Sequence, residues 1–379
     1  MPSRSSFPAF ANCHSHAFHR ALRGRRPRGA DFWGWRDGMY AVAAALTPDD
    51  YHRLARATFA EMRLAGYEWV GEFHYLHHGP DGVPYADPNA MAEAVIEAAR
   101  EVGLHLCLLH TRYARSGFAG AELDPVQRRF VDADLDAWQQ RTLALAERYA
   151  DDPLVVIGAA IHSVRGVPAE EFAEIAGTLA TAPLHVHVSE QPAENADCLA
   201  ATGRTPVQLL AEAGVWNERS TAVHATHLSD DDVATLGAAH ARVCFCPTTE
   251  AELADGIGPS VALRDAGAVI TVGSDSNTVI DGFLEARSLA MHERLATGRR
   301  DGWTADQLWP AATTDGRASL GFGSADALRR ELHPAVQTAG VSEPLWAASA
   351  AQVVPPDDLD PEQIADDLDA VIDELWSRL

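Results

Sequence analysis

Along most of the chain, short apolar and β-branched runs alternate with longer stretches whose apolar positions recur at helical spacing. The runs predict strands at Phe10–His14, Trp69–Phe73, Leu104–His110, Val155–Ser163, Leu184–Ser189, Thr221–Ala225, Arg242–Cys246 and Val269–Ser274. The stretches between them predict helices near residues 48–65, 88–102, 134–149, 168–181, 205–213, 230–239, 259–266 and 281–297. Several helix starts are marked. Thr47 before Pro48 offers a capping hydroxyl and a first-turn proline, Ser229 precedes three aspartates, and Thr304 to Gln307 reads as a capping box. Gly66, Gly103, Gly214 and Gly267 follow four of the helices, where a left-handed cap is wanted. Eight strands alternating with eight helices is the pattern of a parallel sheet, and eight repeats predict an α/β fold closed into a (β/α)8 TIM barrel. An open doubly wound sheet is the competing architecture, but no GxGxxG follows the first strand.

The rhythm stops near residue 324. Residues 1–323 are therefore assigned to the barrel and 324–379 to a C-terminal extension. Its last segment, 361–379, reads as an acidic amphipathic helix with Ile364, Leu368, Val371, Ile372, Leu375 and Trp376 on one face. That face is expected to pack on the barrel or on a second subunit.

Charge narrows the partners. The chain holds 54 acidic and 30 basic residues, a formal net charge of −24. Such a polyanion repels nucleic acid and anionic lipid, so neither is an expected partner. A small anionic substrate would need arginines gathered in a cleft. All 30 bases are arginine, and the absence of lysine removes Schiff-base lysines, P-loop lysines and carbamate-bridged metal pairs. No stretch nears the ~20 apolar residues of a membrane span, and the N-terminus lacks an apolar signal core; the expected location is cytoplasmic. Cys13, Cys107, Cys198, Cys244 and Cys246 form no CxxC pair and read as small buried hydrophobes.

Barrel enzymes place their chemistry at the C-terminal ends of the strands. Here the first strand ends in His14-Ser15-His16, whose two imidazoles point the same way on an extended segment. The fifth ends in His187-Val188-Ser189-Glu190, the sixth carries His224 with His227 just beyond, and the eighth ends in Gly273-Ser274-Asp275. Each feature alone is weak: an HxH pair is often surface or core, and an aspartate after a strand is usually a helix cap. Together, in order and at strand ends, they predict that His14, His16, His187 and Asp275 hold one metal ion. Three imidazoles and a carboxylate suit Zn²⁺, with Fe²⁺ and Mn²⁺ compatible with the same donors. Glu190 stands within reach of a water at that site. His185 lies deeper and reads as a packed group, and His224 is preferred to His227 because it is nearer the strand tip.

This set resembles the single-metal deaminase branch of the amidohydrolase superfamily. The segments NCHSHAFHRALRG, FWGWRDGMY, VGEFHYLHH, AAIHSVRGVP, LHVHVSEQPAEN and VHATHL resemble, more closely, the N-formimino-L-glutamate deiminase family, over about Phe10 to Gly321. The resemblance implies zinc on His14, His16, His187 and Asp275, proton transfer by Glu190, and polarisation of the substrate by His224. It further implies that Arg36, Tyr75, His162 and Arg165 recognise a glutamate portion, with His19 in the same pocket. Bidentate arginines are what a dicarboxylate requires. Taken alone, Arg36 reads as a surface ion pair, and Arg165 is balanced between the two roles. The implied reaction is hydrolysis of the formimino C=N group with loss of ammonia, and the family's homodimer is implied with it.

Departures are local. The small β-sandwich of the family, built from both flanks of the barrel, is expected to be missing. His19 stands where many relatives have glutamine, and Asn277 where histidine is expected, both as pocket positions. Two readings compete with the glutamate derivative. One is a related deaminase acting on another small anionic amidine or a heterocyclic amine. The other is a trimmed, non-catalytic relative, against which the intact Glu190 and His224 stand.

Overall fold

The apolar runs form the barrel predicted from their alternation. The computed structural model describes residues 6–25, 32–118, 120, 122–323, 328–333 and 343–379. A short strand β1 (Ser6–Pro8) precedes β2 (Phe10–Ser15), β3 (Tyr67–His74), β4 (His105–Arg112), β5 (Val155–Ser163), β6 (Leu184–Val188), β7 (Ser220–His224), β8 (Arg242–Phe245) and β9 (Val269–Val272); β10 (Arg329–Glu331) follows. Strands β2 to β9 pair in sequence order, each parallel to the next. Several predicted strand ends overshoot by one or two residues. There the chain leaves the ladder in left-handed turns, as at Ser189 (φ 53°) and Ala225 (φ 48°).

Between β9 and β2 there is a single bridge, Ser15 to Asp275, in place of a ladder. Polar side chains stitch this seam. Asn12 Nδ2 donates to Ser274 Oγ (2.6 Å) and Ser274 N–H returns a bond to Asn12 Oδ1 (2.9 Å). The backbone continues it, with His16 N donating to Asp275 O and Asp275 N to His14 O, both at 2.9 Å. A side chain at Gly273 would meet the backbone nitrogen of His14 at 2.7 Å, so only glycine lets the strands approach this closely.

The predicted helices are present, with Pro48–Leu64 held by the full Thr47–Asp50 capping box. Phe32–Ala45, Pro192–Thr202 and Pro247–Leu253 are helices that periodicity did not predict. Cys13, Val223, Cys244 and Cys246 pack as a small buried cluster of their own. Phe10 meets Phe283 edge-on at 4.8 Å, with Phe7 4.9 Å from the same ring.

The C-terminal helix Pro361–Ser377 packs on Pro48–Leu64 and buries Ile364, Val371, Ile372 and Leu375. Trp376 Nε1 donates to the Ala21 carbonyl at 2.8 Å, and ion pairs Arg25–Asp373, Arg53–Glu374 and Arg378–Asp50 rim the contact. The flanks of the barrel meet in a two-stranded antiparallel ribbon, β1 with β10, and among the described residues they form no β-sandwich. The expected boundary at residue 324 lies outside the described residues. No helix among the described residues is long and apolar enough to cross a membrane.

Candidate active site

The strand tips converge on a cavity of about 140 Å³. It is lined by His16, His19, Arg36, Tyr75, His162, Arg165, His187, Glu190, His224 and Asp275, every predicted metal, catalytic and substrate-recognition residue except His14. His14 lies fully buried directly behind, on β2. A larger cleft, about 660 Å³, opens elsewhere between His78, Pro88, Leu123 and Arg141. It holds none of these residues, so size does not mark the site; the chemistry of the lining does.

His16 Nδ1 donates to the Phe73 carbonyl (2.9 Å), and His187 Nδ1 to that of His162 (3.0 Å). The ring protons are thereby committed away from the cavity, and each Nε2 keeps its lone pair. Those lone pairs converge. His187 Nε2 is 3.0 Å from His14 Nε2, and Asp275 Oδ1 is 3.4 Å from Nε2 of both His14 and His16. Burial pushes the His14 imidazole down to about 3, and lowers His16 and His187 too, so these rings are neutral at pH 7. Burial alone would raise the Asp275 carboxyl, but at the low pH where the imidazoles protonate, the hydrogen bond and charge of His14 and the charge of His16 outweigh it and hold it low. Neutral imidazoles crowded around an ionised carboxylate fit a divalent cation.

The backbone is strained where these groups turn inward. His224 (φ 69°), Ala225, Asp275 (φ 48°) and Asn277 (φ 55°) all lie in the left-handed region without being glycine. His224 is stacked on His187, ring centroids 5.5 Å apart. Burial opposes its charge, yet Glu190, a hydrogen bond to Glu250, and Asp275 raise it to about 10. The competitor His227 turns away and binds the Asp255 carbonyl (2.7 Å); His185 sits deeper, 3.3 Å from the Ser319 carbonyl.

The remaining predicted residues form the walls. His19 Nε2 lies 3.0 Å from Tyr75 Oη, and its ring packs 4.6 Å from His16 and 5.2 Å from Trp35. Tyr75 in turn meets His162 edge-on at 5.5 Å. The Arg36 guanidinium covers the Tyr40 ring at 5.4 Å. Arg165 is half-buried, a state that lowers its basicity, but the charges of Glu194 and Glu190 more than restore it.

One expectation is corrected. Asn277 is fully buried and does not line the cavity: its Nδ2 donates to Ser15 Oγ and the His16 carbonyl, both at 3.0 Å, while its Oδ1 accepts from Ser274 Oγ (2.5 Å). It fastens the seam behind the histidines. Sequence reasoning also missed Trp35, Met39, Tyr40, Tyr113 and Gln127 in the wall, where Gln127 Nε2 donates to Tyr113 Oη at 2.7 Å. Another miss is Glu72 on β3, buried behind His16. It accepts from Ala17 N–H (2.6 Å), and burial pushes it up to about 8. A carboxylate inside an otherwise apolar strand, WVGEF, was the available signal for Glu72.

Residues 6–326 match the model of the amidohydrolase family. The chain is 35% identical over 330 residues to formimidoylglutamate deiminase of Pseudomonas aeruginosa, covering 83% of this chain and 72% of that protein. It is 28% identical over 325 residues to a 5-methylthioadenosine/S-adenosylhomocysteine deaminase of Halobacterium salinarum, covering 84% and 69%. The crystal structure of an amidohydrolase from Brucella melitensis superposes with a TM-score of 0.89 at 31% identity, over 98% of this chain and 90% of that one.

Proposed function

The chain belongs to the amidohydrolase family, and we propose that within it the protein hydrolyses N-formimino-L-glutamate to N-formyl-L-glutamate and ammonia. One observation carries this reading: the cavity that gathers the histidines and Asp275 is also lined by Arg36 and Arg165. In a chain of net charge −24, two guanidinium groups gathered in so small a cavity favour an anionic ligand. The name of the Pseudomonas aeruginosa relative supports the same substrate.

His14, His16, His187 and Asp275 would hold one Zn²⁺, a role that Fe²⁺ or Mn²⁺ could fill with the same donors. An ion held there would supply Lewis acidity that brings the pKa of water toward ~7, giving a nucleophile at neutral pH. Glu190, at the tip of β6, takes a proton from the attacking water and delivers it to the formimino nitrogen; a second proton, from the hydroxyl of the tetrahedral carbon as C=O forms and C–N breaks, lets that nitrogen leave as ammonia. His224, whose protonated form Glu190, the Glu250 hydrogen bond and Asp275 favour against burial, would stabilise the negative charge that develops as the carbon becomes tetrahedral. Arg36 and Arg165 pair with the two carboxylates, while Tyr75, His162 and His19 fix the chain between them.

Ammonia release is the test, with N-formimino-L-glutamate and 5′-methylthioadenosine assayed side by side. Turnover of the first alone is expected. Ammonia from the nucleoside, with none from the formimino compound, would overturn the proposal.

A further inference from the structure

His16 and His187 are each aimed by a backbone carbonyl, but His224 is not. Its Nδ1 faces Glu250 Oε1 at 3.4 Å, with both side chains buried, 2% and 3% exposed. The same oxygen accepts the backbone N–H of Cys246 at 2.8 Å, so Glu250 is itself pinned. Glu250 belongs to the helix Pro247–Leu253, which follows β8, whereas His224 ends β7. The pair therefore ties two neighbouring strand exits together. On its other side the His224 ring lies nearly parallel to His187, 16° between planes. One neighbour fixes the plane of the ring, and Glu250 fixes its rotation within that plane.

We propose that Glu250, which does not line the cavity, is the positioning residue that turns Nε2 of His224 toward the substrate. An imidazole whose Nδ1–H meets a carboxylate presents Nε2 on its far edge. The left-handed backbone at His224 and Ala225 turns the chain out of β7 at the point where Glu250 holds the ring. The kinetic part of this inference rests on the deiminase reading; the orientation of the ring does not.

The experiment compares wild type, Glu250→Gln and Glu250→Ala in kcat and KM on N-formimino-L-glutamate. In parallel, ¹⁵N spectra of histidine-labelled protein are recorded, with His224 identified through His224→Gln. Loss of such an outer hydrogen-bond partner costs about 10- to 100-fold. Alanine is expected to lower kcat by about that factor with KM held within about twofold. Glutamine, whose amide oxygen still accepts from both N–H groups, is expected to restore most of it. The His224 Nδ1 signal is expected to persist as a hydrogen-bonded N–H in wild type and E250Q, and to shift in E250A. A folded E250A with wild-type kcat and an unchanged His224 signal overturns the proposal. If E250A does not fold, Glu250→Asp replaces it, because the shorter chain keeps the charge and withdraws the oxygen from Nδ1. Wild-type values in E250D are equally fatal. Should wild type release no ammonia from the formimino compound, the substrate reading falls and the ring signals alone decide the role of Glu250.

Discussion

Asp50 joins the first turn of helix Pro48–Leu64 to the end of the chain. It accepts from Thr47 N–H (3.1 Å) and Thr47 Oγ1 (2.7 Å), and pairs with Arg53 and Arg378, each at 2.9 Å. Burial alone would raise its carboxyl. The Arg378 and Thr47 hydrogen bonds and the Arg378 charge outweigh that and bring it from 3.8 down to about 2. A carboxyl depressed on folding stabilises the protein above its unfolded pKa, and that stability is lost as pH falls through the folded one. The window here runs from about 4 down to 2. At 1.36 kcal/mol per pKa unit the depression corresponds to about 2.4 kcal/mol. The arginines are 39% and 38% exposed, and screening by water cuts this to about 1–2 kcal/mol. Roughly half is gone at pH 3, where the unfolded carboxyl is protonated and the folded one is not. Urea unfolding of wild type and Asp50→Asn at pH 7, 5 and 3 measures it. Wild type should be the more stable at pH 7, and the gap should narrow by about 0.5–1 kcal/mol at pH 3. A gap that stays constant across that range would refute the reasoning.

Three further outcomes are expected. Chelation should abolish ammonia release and lower the melting temperature, with added Zn²⁺ restoring both; a chelated, metal-free sample that retains full activity would end the metal assignment. Glu190→Gln should purify with its metal yet lose about 10²- to 10⁴-fold in kcat, and full activity there would remove Glu190 from proton transfer. Arg165→Met should raise KM by about 10- to 100-fold, the cost of a charge-assisted hydrogen bond, with metal content unchanged; an unaltered KM would place the substrate carboxylates elsewhere.

The barrel was legible because burial on both faces makes parallel strands largely apolar runs, as in Val155–Ser163 and Val269–Val272. The converging histidines were legible for a related reason: i and i+2 on one strand share a direction, and strand order fixed which tips meet. What the pattern concealed depends on reach between elements. Helix Phe32–Ala45 carries Gly34 and Gly38 inside it, which weakens any helical signal, yet it brings Trp35, Met39 and Tyr40 to the cavity. Arg36 on that helix was legible only through resemblance, since its own neighbours read as a surface. Glu250 acts across two strand exits, and nothing in its local spacing points to His224. Asn277 was misplaced because the turn Asp275-Ser276-Asn277 bends through left-handed backbone, which swings its amide behind the strand instead of into the cavity.

The seam between β2 and β9 has a consequence for how the fold and a bound cation would depend on one another. Every other neighbouring pair of barrel strands shares a ladder, and this pair shares one bridge. His14 and His16 stand on one bank of that gap and Asp275 on the other. A cation gripping all three acts as a hoop around staves, so releasing it and springing the barrel open become thermodynamically linked events. By that linkage an ion present at a thousand times its dissociation constant adds about 4 kcal/mol against unfolding, a contribution concentrated where the backbone supplies least.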